Sequence, residues 1–202
     1  SAASMYLQAY NYYKPYGDFK NSQGLYQKHK ELGTVYITTH IEGNTTDRDI
    51  DKRLKKLVEN KFKDGYYRVA QNGARRDIDI TISYRTYYND EKEKQHRRHL
   101  QDKDESGNTL NFTEHTLEKQ NRYRIELKLR ASGKVSFSDQ FTLKASSFRT
   151  ETSYSGQVPL KYTKQANGSL KTRAQLERSL ENDLDAKINE MLSSIYYDTE
   201  RL

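Results

Sequence analysis

Apolar residues recur along the chain with two different periods, and the period changes from segment to segment. They alternate with polar residues over 78–84 and again over 123–129. A period of two indicates a strand with one buried face and one face toward solvent. The second stretch continues through a tight turn at 131–134 into a resumed alternation up to residue 143, which predicts a β-hairpin.

Two other segments carry apolar residues at the spacing of an amphipathic helix. The first runs from residue 50 to residue 62, and the second covers residues 173–196. At the start of each segment, two residues are placed as a capping box, in which side chains satisfy free backbone amides of the first turn. The capping-box residues are Thr46 and Asp49 for the first helix, and Thr172 and Gln175 for the second.

Two short segments rich in β-branched and aromatic residues complete the predicted sheet. The segment 34–41 follows a glycine and predicts a strand, and the segment 66–70 predicts another, ended by a turn at Asn72-Gly73. Two helices with single apolar stripes need a sheet to cover them. The sequence therefore predicts an α+β fold: a two-layer sandwich of an antiparallel-dominated mixed sheet packed against two amphipathic helices.

Three segments lack a clear period. Residues 1–33 are rich in tyrosine and are interpreted as an extended arm beside a single domain over 34–202. Residues 89–121 are a polar insertion, interpreted as a long solvent-facing hairpin in preference to a mobile loop, and residues 150–167 as a second loop.

Composition changes this picture little. Of the 202 residues, 33% are hydrophobic and 31% are charged, but the apolar residues are grouped and 17 tyrosines supply large bodies for burial. The net charge of +7 favours anionic partners only weakly, because acidic and basic residues are interleaved. The absence of cysteine excludes disulfides, thiolate metal sites and cysteine nucleophiles.

The common enzyme motifs are missing: the sequence has no nucleophile elbow, phosphate-binding loop, zincin motif or dinucleotide fingerprint. His96 and His99 have the spacing of two metal ligands on a helix, with His115 as a third, but Arg97 and Arg98 between them disfavour a cation. We therefore expect no metal, no cofactor and no catalytic residues.

The candidate binding residues are instead aromatic and basic. Tyrosine offers a flat apolar face with a hydroxyl, and lysine and arginine can meet phosphates or acidic glycans. For both groups a structural role is the competing interpretation: packing for the tyrosines, and self-paired surface charge for the basic run. The candidates are Tyr10, Tyr12, Tyr13, Tyr16, Lys94, His96, Arg97, Arg98, Tyr154 and Tyr162. The triplet Arg75-Arg76-Asp77 is interpreted as a cap at the entrance of a strand.

One part of the pattern is a helix that ends in Lys63-Asp64-Gly65-Tyr66-Tyr67-Arg68-Val69 and is followed by a strand that begins at Asp77. A predicted hairpin follows later, with the stretches Tyr123-Arg124-Ile125-Glu126-Leu127, Ser132-Gly133-Lys134-Val135 and Ser138-Asp139-Gln140-Phe141. This layout, with a last helix after the hairpin, resembles bacterial envelope lipoproteins of the CsgG, LpoB and TolB N-terminal kind.

This resemblance implies a non-enzymatic accessory subunit in the periplasm or at the outer membrane, lipid-anchored or secreted. Its partner would be an envelope protein or an anionic envelope polymer, and it would meet the membrane only through a lipid anchor that has been removed. The alternative is a nucleic-acid-binding accessory protein that uses tyrosine stacking and phosphate contacts.

Overall fold

The computed structural model describes residues 2–44, 48–70 and 75–202. The predicted cap residue Thr46 and the predicted turn at Asn72-Gly73 lie outside these ranges. The helices are α1 Ala2–Tyr13, α2 Ser22–Gly33, α3 Arg48–Lys61, α4 Arg173–Ser179 and α5 Glu181–Glu200. The strands are β1 Val35–Gly43, β2 Tyr67–Ala70, β3 Ile78–Lys103, β4 Thr109–Gly133, β5 Phe137–Gly156 and β6 Gln165–Gly168.

The strands form one mixed sheet in the order β2-β1-β3-β4-β5-β6. β1 pairs in parallel with β2 and with β3, and β5 pairs with β6 in antiparallel fashion. The pairs β3-β4 and β4-β5 are consecutive strands joined by short turns, a connection available only to antiparallel neighbours. The predicted α+β class with an antiparallel-dominated mixed sheet is confirmed.

The chain divides into two compact units. The first contains residues 1–86, 126–142 and 182–202, and the second contains residues 87–125 and 143–181. Strands β3, β4 and β5 each contribute residues to both units. The predicted boundary at residue 33 between an N-terminal segment and one domain stays a prediction.

The first unit holds most of the buried apolar residues. The alternating side chains of β3 are fully buried at Ile78, Ile80 and Ile82, as the period of two predicts. The stripes of α3 and α5 are buried as well, which confirms both amphipathic helices; their deepest residues are Leu54, Val58, Ile188, Leu192 and Ile195. Arg53 on α3 forms a two-pronged ion pair with Asp185 on α5, at 2.7 and 2.8 Å.

The second unit has a smaller core. Tyr123 and Ile125 of β4 pack with Leu176 and Leu180 from the region of α4. The capping box at the start of α4 is present as predicted: the Gln175 amide donates to the Thr172 hydroxyl at 3.2 Å, and the Thr172 amide donates to the Gln175 side chain at 2.9 Å. The predicted single helix over 173–196 is divided, because Leu180 separates α4 from α5.

The extended conformation predicted for residues 1–33 is wrong. Residues 2–13 and 22–33 form α1 and α2, joined by two short 3-10 turns. Tyr6, Tyr10 and Tyr13 recur at helical spacing on α1, with Tyr26 and His29 on α2. The helical period is therefore carried by aromatic residues instead of aliphatic ones, and a search for aliphatic stripes does not detect it.

The polar insertion forms a long hairpin, as predicted. β3 and β4 run to a turn in which the Asp104 side chain accepts hydrogen bonds from the amides of Ser106 and Asn108, at 2.9 and 2.8 Å. The loop predicted over 150–167 is only partly correct. β5 extends to Gly156 and β6 begins at Gln165, which leaves 157–164 as the connection.

Candidate binding surfaces

The helices α1 and α2 are joined by rings that contact one another. Tyr10 stacks on Tyr26 with ring centroids 4.7 Å apart, and their hydroxyls are 3.2 Å apart, so either can donate. Tyr13 stacks on His29, with centroids 5.9 Å apart and planes inclined by 8°. Two of the predicted binding residues, Tyr10 and Tyr13, therefore hold the helical pair together, as the packing interpretation expects.

The other two predicted tyrosines of this segment are exposed. Tyr12 lies with its ring 5.6 Å from that of Tyr16, and both have at least half of their surface open to solvent. Met5 and Phe19 are exposed as well. We call Met5, Tyr12, Tyr16 and Phe19 the exposed apolar group of the helical pair.

The connection between α1 and α2 has an unusual backbone. Lys20 and Asn21 are non-glycine residues with φ of 47° and 62°, in the left-handed region that bulky side chains rarely adopt. Gly17 precedes them with φ 54°, and the Ser22 hydroxyl donates to the Gly17 carbonyl. Phe19 is presented to solvent from within this constrained turn.

Lysines surround the rings of the helical pair. The Lys14 ammonium lies 5.7 Å from the Tyr10 ring centroid, and the Lys20 ammonium lies 5.3 Å from that of Phe19. The hydrogen bond from Tyr10, together with Lys30 and Lys14, lowers the pKa of the Tyr26 hydroxyl. The surface thus combines exposed rings with positive charge.

In the second unit, the basic run 94–99 lies on β3, so its side chains are divided between the two faces of the strand. Successive side chains of a strand point to opposite faces. Arg98 pairs with Glu114 at 3.1 Å, and His96 lies 3.9 Å from Glu118, so these two follow the self-paired interpretation. Lys94, also exposed, falls on the same face by the alternation.

The opposite face of this hairpin is a ladder of polar side chains. Gln101 donates to Asn111 at 2.8 Å, His99 and Thr113 are joined at 3.1 Å, and His115 and Ser155 at 2.7 Å. Arg97 is exposed and lies on this face by the same alternation. A depression of about 730 Å³ follows the ladder from His99 to Asn111 and Ser155.

The helical metal site considered for His96 and His99 is wrong, because the two residues lie on a strand three positions apart and so face opposite ways. Within the described residues, no group of three or more histidine, aspartate or glutamate side chains could hold a metal ion.

Tyr154 and Tyr162 form a cluster with the buried Phe112. The ring centroids of Phe112 and Tyr162 are 4.8 Å apart, and those of Tyr154 and Tyr162 are 5.3 Å apart. The Tyr162 hydroxyl donates to Asp102 at 2.9 Å, and Lys161 meets the same carboxylate at 2.7 Å. Lys161, the Lys103 amide and Tyr162 lower the pKa of Asp102 to about 2. Through these contacts, Lys161 and Tyr162 attach the 157–164 connection to the hairpin formed by β3 and β4.

The first unit has a larger depression of about 890 Å³, beside the end of β1 and residues 83–85 of β3. Its charged lining residues are Glu42, Glu126, Arg85 and Lys128. Two carboxylates and two cations leave no net charge that would select an ion of either sign.

Comparison of this chain with known proteins finds only solved structures that align with it at low sequence identity. No protein-family model matches the chain, and no curated protein matches it. A homolog of the neuraminyllactose-binding hemagglutinin from Helicobacter pylori aligns with a TM-score of 0.42 and 8% identity, over 84% of this chain and 91% of that one. A minor lipoprotein from Acinetobacter baumannii aligns with a TM-score of 0.30 and 12% identity, over 80% and 94% of the two chains.

The rare lipoprotein B from Shewanella oneidensis aligns with a TM-score of 0.25 and 11% identity, over 81% of this chain and 94% of that one. Two of these three proteins are bacterial lipoproteins, but at such scores and identities the likenesses assign neither a function nor a partner. The resemblance to the CsgG, LpoB and TolB layout stays a prediction. No helix among the described residues is long and apolar enough to cross a membrane.

Proposed function

We propose that this protein is a non-enzymatic binding module of the bacterial cell envelope, in the periplasm or at the outer membrane. It recognises an envelope protein or an anionic envelope polymer through the helical pair α1 and α2. The envelope setting rests on the resemblance of 50–83 and 123–141 to envelope lipoproteins. The assignment of the binding surface rests on the geometry of the helical pair.

The exposed apolar group, together with Leu32, carries this proposal. Of the nine large apolar side chains that the described residues leave exposed, five belong to the first 32 residues. They are Met5, Tyr12, Tyr16, Phe19 and Leu32. Scattered exposed apolar residues are ordinary, but a concentration of them within one helical pair and its connection is typical of an interaction surface.

The chemistry of the surface indicates the kind of partner. Tyrosine and phenylalanine are enriched in the buried centres of protein interfaces. The helical pair contributes Lys14, Lys20, Lys28 and Lys30 against Asp18 and Glu31, so its charge is positive. A partner with an apolar patch bordered by acidic groups complements both properties.

The experiment compares capture of partners from a detergent-solubilised envelope fraction by matched variants of the full chain. The double variant Tyr12→Ser, Phe19→Ser removes two exposed rings of the helical pair. Tyr12 lies in α1, where serine and tyrosine have similar helix propensity, so the fold is expected to survive. Loss of aromatic contacts at an interface centre is expected to weaken binding by about tenfold or more.

The control is the double variant Tyr197→Ser, Phe148→Ser. Tyr12 and Tyr197 are each 63% exposed, and Phe19 and Phe148 are 64% and 65% exposed, so both variants remove similar exposed surface. Equal capture by the two variants would contradict the proposal. Capture of nucleic acid that the first variant alone loses, and that high salt releases, would instead support the alternative of a nucleic-acid-binding protein.

A further inference from the structure

Four side chains from separate segments of the second unit line one depression of about 310 Å³. Arg97 comes from β3, His115 from β4, Ser153 from β5, and Lys164 from the position directly before β6. They meet because the hairpin aligns β3 with β4, and because Ser153 and Lys164 directly adjoin Thr152 and Gln165, a pair in the register of β5 and β6. No run in the sequence brings these four residues together.

The two full cations of this depression are available to a ligand. No ion pair of Arg97 or Lys164 occurs among the side chains that the structure describes, and both residues are exposed. The neighbouring Arg98, on the other face, is already paired with Glu114. The one carboxylate in the lining, that of Glu151, is held by the Arg149 guanidinium at 3.0 Å, which compensates its charge.

We propose that this depression binds the phosphate group of a phosphorylated sugar. The guanidinium of Arg97 offers a planar pair of donors that matches two phosphate oxygens, and Lys164 adds a compact positive charge. The Ser153 hydroxyl and the His115 ring complete the set of possible donors. Two cations suit a doubly charged phosphate better than a singly charged carboxylate.

The sugar is assigned from the neighbouring ladder on the same face. His115 also bonds to Ser155, whose side chain lines the 730 Å³ depression together with His99, Gln101, Asn111 and Thr113. Amide, imidazole and hydroxyl groups both donate and accept hydrogen bonds, as the hydroxyls of a sugar require. This site is distinct from the helical pair and does not depend on its function.

The test is a calorimetric titration of the full chain with glucose 6-phosphate and, separately, with inorganic phosphate. The proposal expects saturable binding of one molecule of the sugar phosphate per chain. The variants Arg97→Gln and Lys164→Gln are each expected to weaken this binding by about tenfold, the effect of losing one charged hydrogen bond. Inorganic phosphate is expected to bind more weakly than the sugar phosphate.

The matched control is Arg98→Gln, which removes the same charge one position along the chain but on the opposite face. Arg98→Gln is expected to leave the affinity within about twofold of that of the unaltered chain. Absence of saturable binding, or an equal loss in Arg97→Gln and Arg98→Gln, would overturn the site. Equal affinity for both ligands would overturn the sugar assignment. Retention on phosphatidic acid vesicles that Arg97→Gln abolishes, without sugar phosphate binding, would reassign the phosphate to a lipid headgroup.

Discussion

Asp77 is a buried carboxylate that joins the starts of two strands in the first unit. Its side chain accepts a hydrogen bond from the Tyr36 amide at 2.9 Å, and its own amide donates to the Tyr36 carbonyl at 2.9 Å. Lys134 lies 3.1 Å and Arg75 3.6 Å from the same carboxylate. Burial of a charged carboxylate without a partner costs free energy. These two cations offset that cost for Asp77.

Replacement of Asp77 is expected to destabilise the protein. Asp77→Ala removes the acceptor of the Tyr36 amide and leaves Lys134 and Arg75 without their partner, so we expect a loss of about 2 kcal/mol in the free energy of unfolding. Asp77→Asn keeps an acceptor and is expected to cost less. Urea unfolding followed by circular dichroism measures both values.

The control for this prediction is Asp139→Ala. Asp139 is exposed, and among the described residues its side chain accepts a hydrogen bond only from the adjacent Gln140 amide, at 2.8 Å. Its replacement is expected to change the free energy of unfolding by less than about 0.5 kcal/mol. A similar small change for Asp77→Ala would show that the buried carboxylate does not stabilise the strands.

Part of this residue-level chemistry could be predicted from the sequence. The interpretation of Arg75-Arg76-Asp77 as a cap at a strand entrance agrees with the contacts of Asp77, because its carboxylate accepts a hydrogen bond from the Tyr36 amide beside the start of β3. The ion pair between Asp77 and Lys134 could not be predicted from the sequence. It depends on β4 passing beside the start of β3, and no local pattern encodes that distance.

Among the elements, the end of α5 is fastened to β2 by tyrosine hydroxyls. Tyr66 and Tyr67 donate to the Glu200 carboxylate at 2.7 and 2.6 Å. Burial and the hydrogen bond to Glu200 raise the pKa of Tyr66 to about 12, and the same two causes raise the pKa of Tyr67. Burial works against ionisation of Glu200, but the tyrosine hydroxyls outweigh it and lower its pKa.

This cluster predicts a loss of stability at high pH. Because folding raises the tyrosine pKa values above the ordinary 10, the stabilisation is complete below pH 10 and is lost as the pH rises toward about 12. The double variant Tyr66→Phe, Tyr67→Phe removes both ionisable groups and should lose less stability over that interval. The measurement is the urea midpoint of both proteins across this pH range.

Tyr197→Phe serves as the control for the alkaline prediction. Tyr197 lies on the same helix but is exposed, so its replacement should leave the pH dependence of the unaltered chain in place. Identical curves for all three proteins would mean that the Glu200 cluster has no part in alkaline unfolding.

The elements differ in how well their sequences predict them. α3, α5 and the strands over 78–84 and 123–143 carry aliphatic residues at one clear period, because a single face of each is buried. The sequence does not predict α1 and α2, because tyrosine and histidine take the inward positions and because Pro15 and Gly17 are typical of a chain without regular structure. It does not predict the end of β5, because both faces of the hairpin are polar there.

Across the whole chain, the sequence predicts the class of fold better than the candidate sites. An α+β fold follows from two kinds of period, which are properties of neighbouring residues. A site made of Arg97, His115, Ser153 and Lys164 follows from strand register, which relates distant residues. The sequence favours the contiguous run 94–99 as a binding site, whereas alternate members of that run lie on opposite faces of the strand.

The two proposed surfaces make different demands on the molecule. The helical pair offers exposed rings with positive charge, which suits a large partner with an acidic border. The 310 Å³ depression of the second unit suits one compact anion. Because the two surfaces belong to separate units of the chain, variants of one are expected to leave binding at the other unchanged.

The helical pair as the surface that meets an envelope partner can be tested by hydrogen-deuterium exchange of the full chain with and without the detergent-solubilised envelope fraction. We expect slower exchange within residues 5–32 on addition of the fraction, and no such change for the Tyr12→Ser, Phe19→Ser variant. Slowed exchange confined to residues outside this segment, or equal slowing in the variant, would show that the helical pair is not the binding surface.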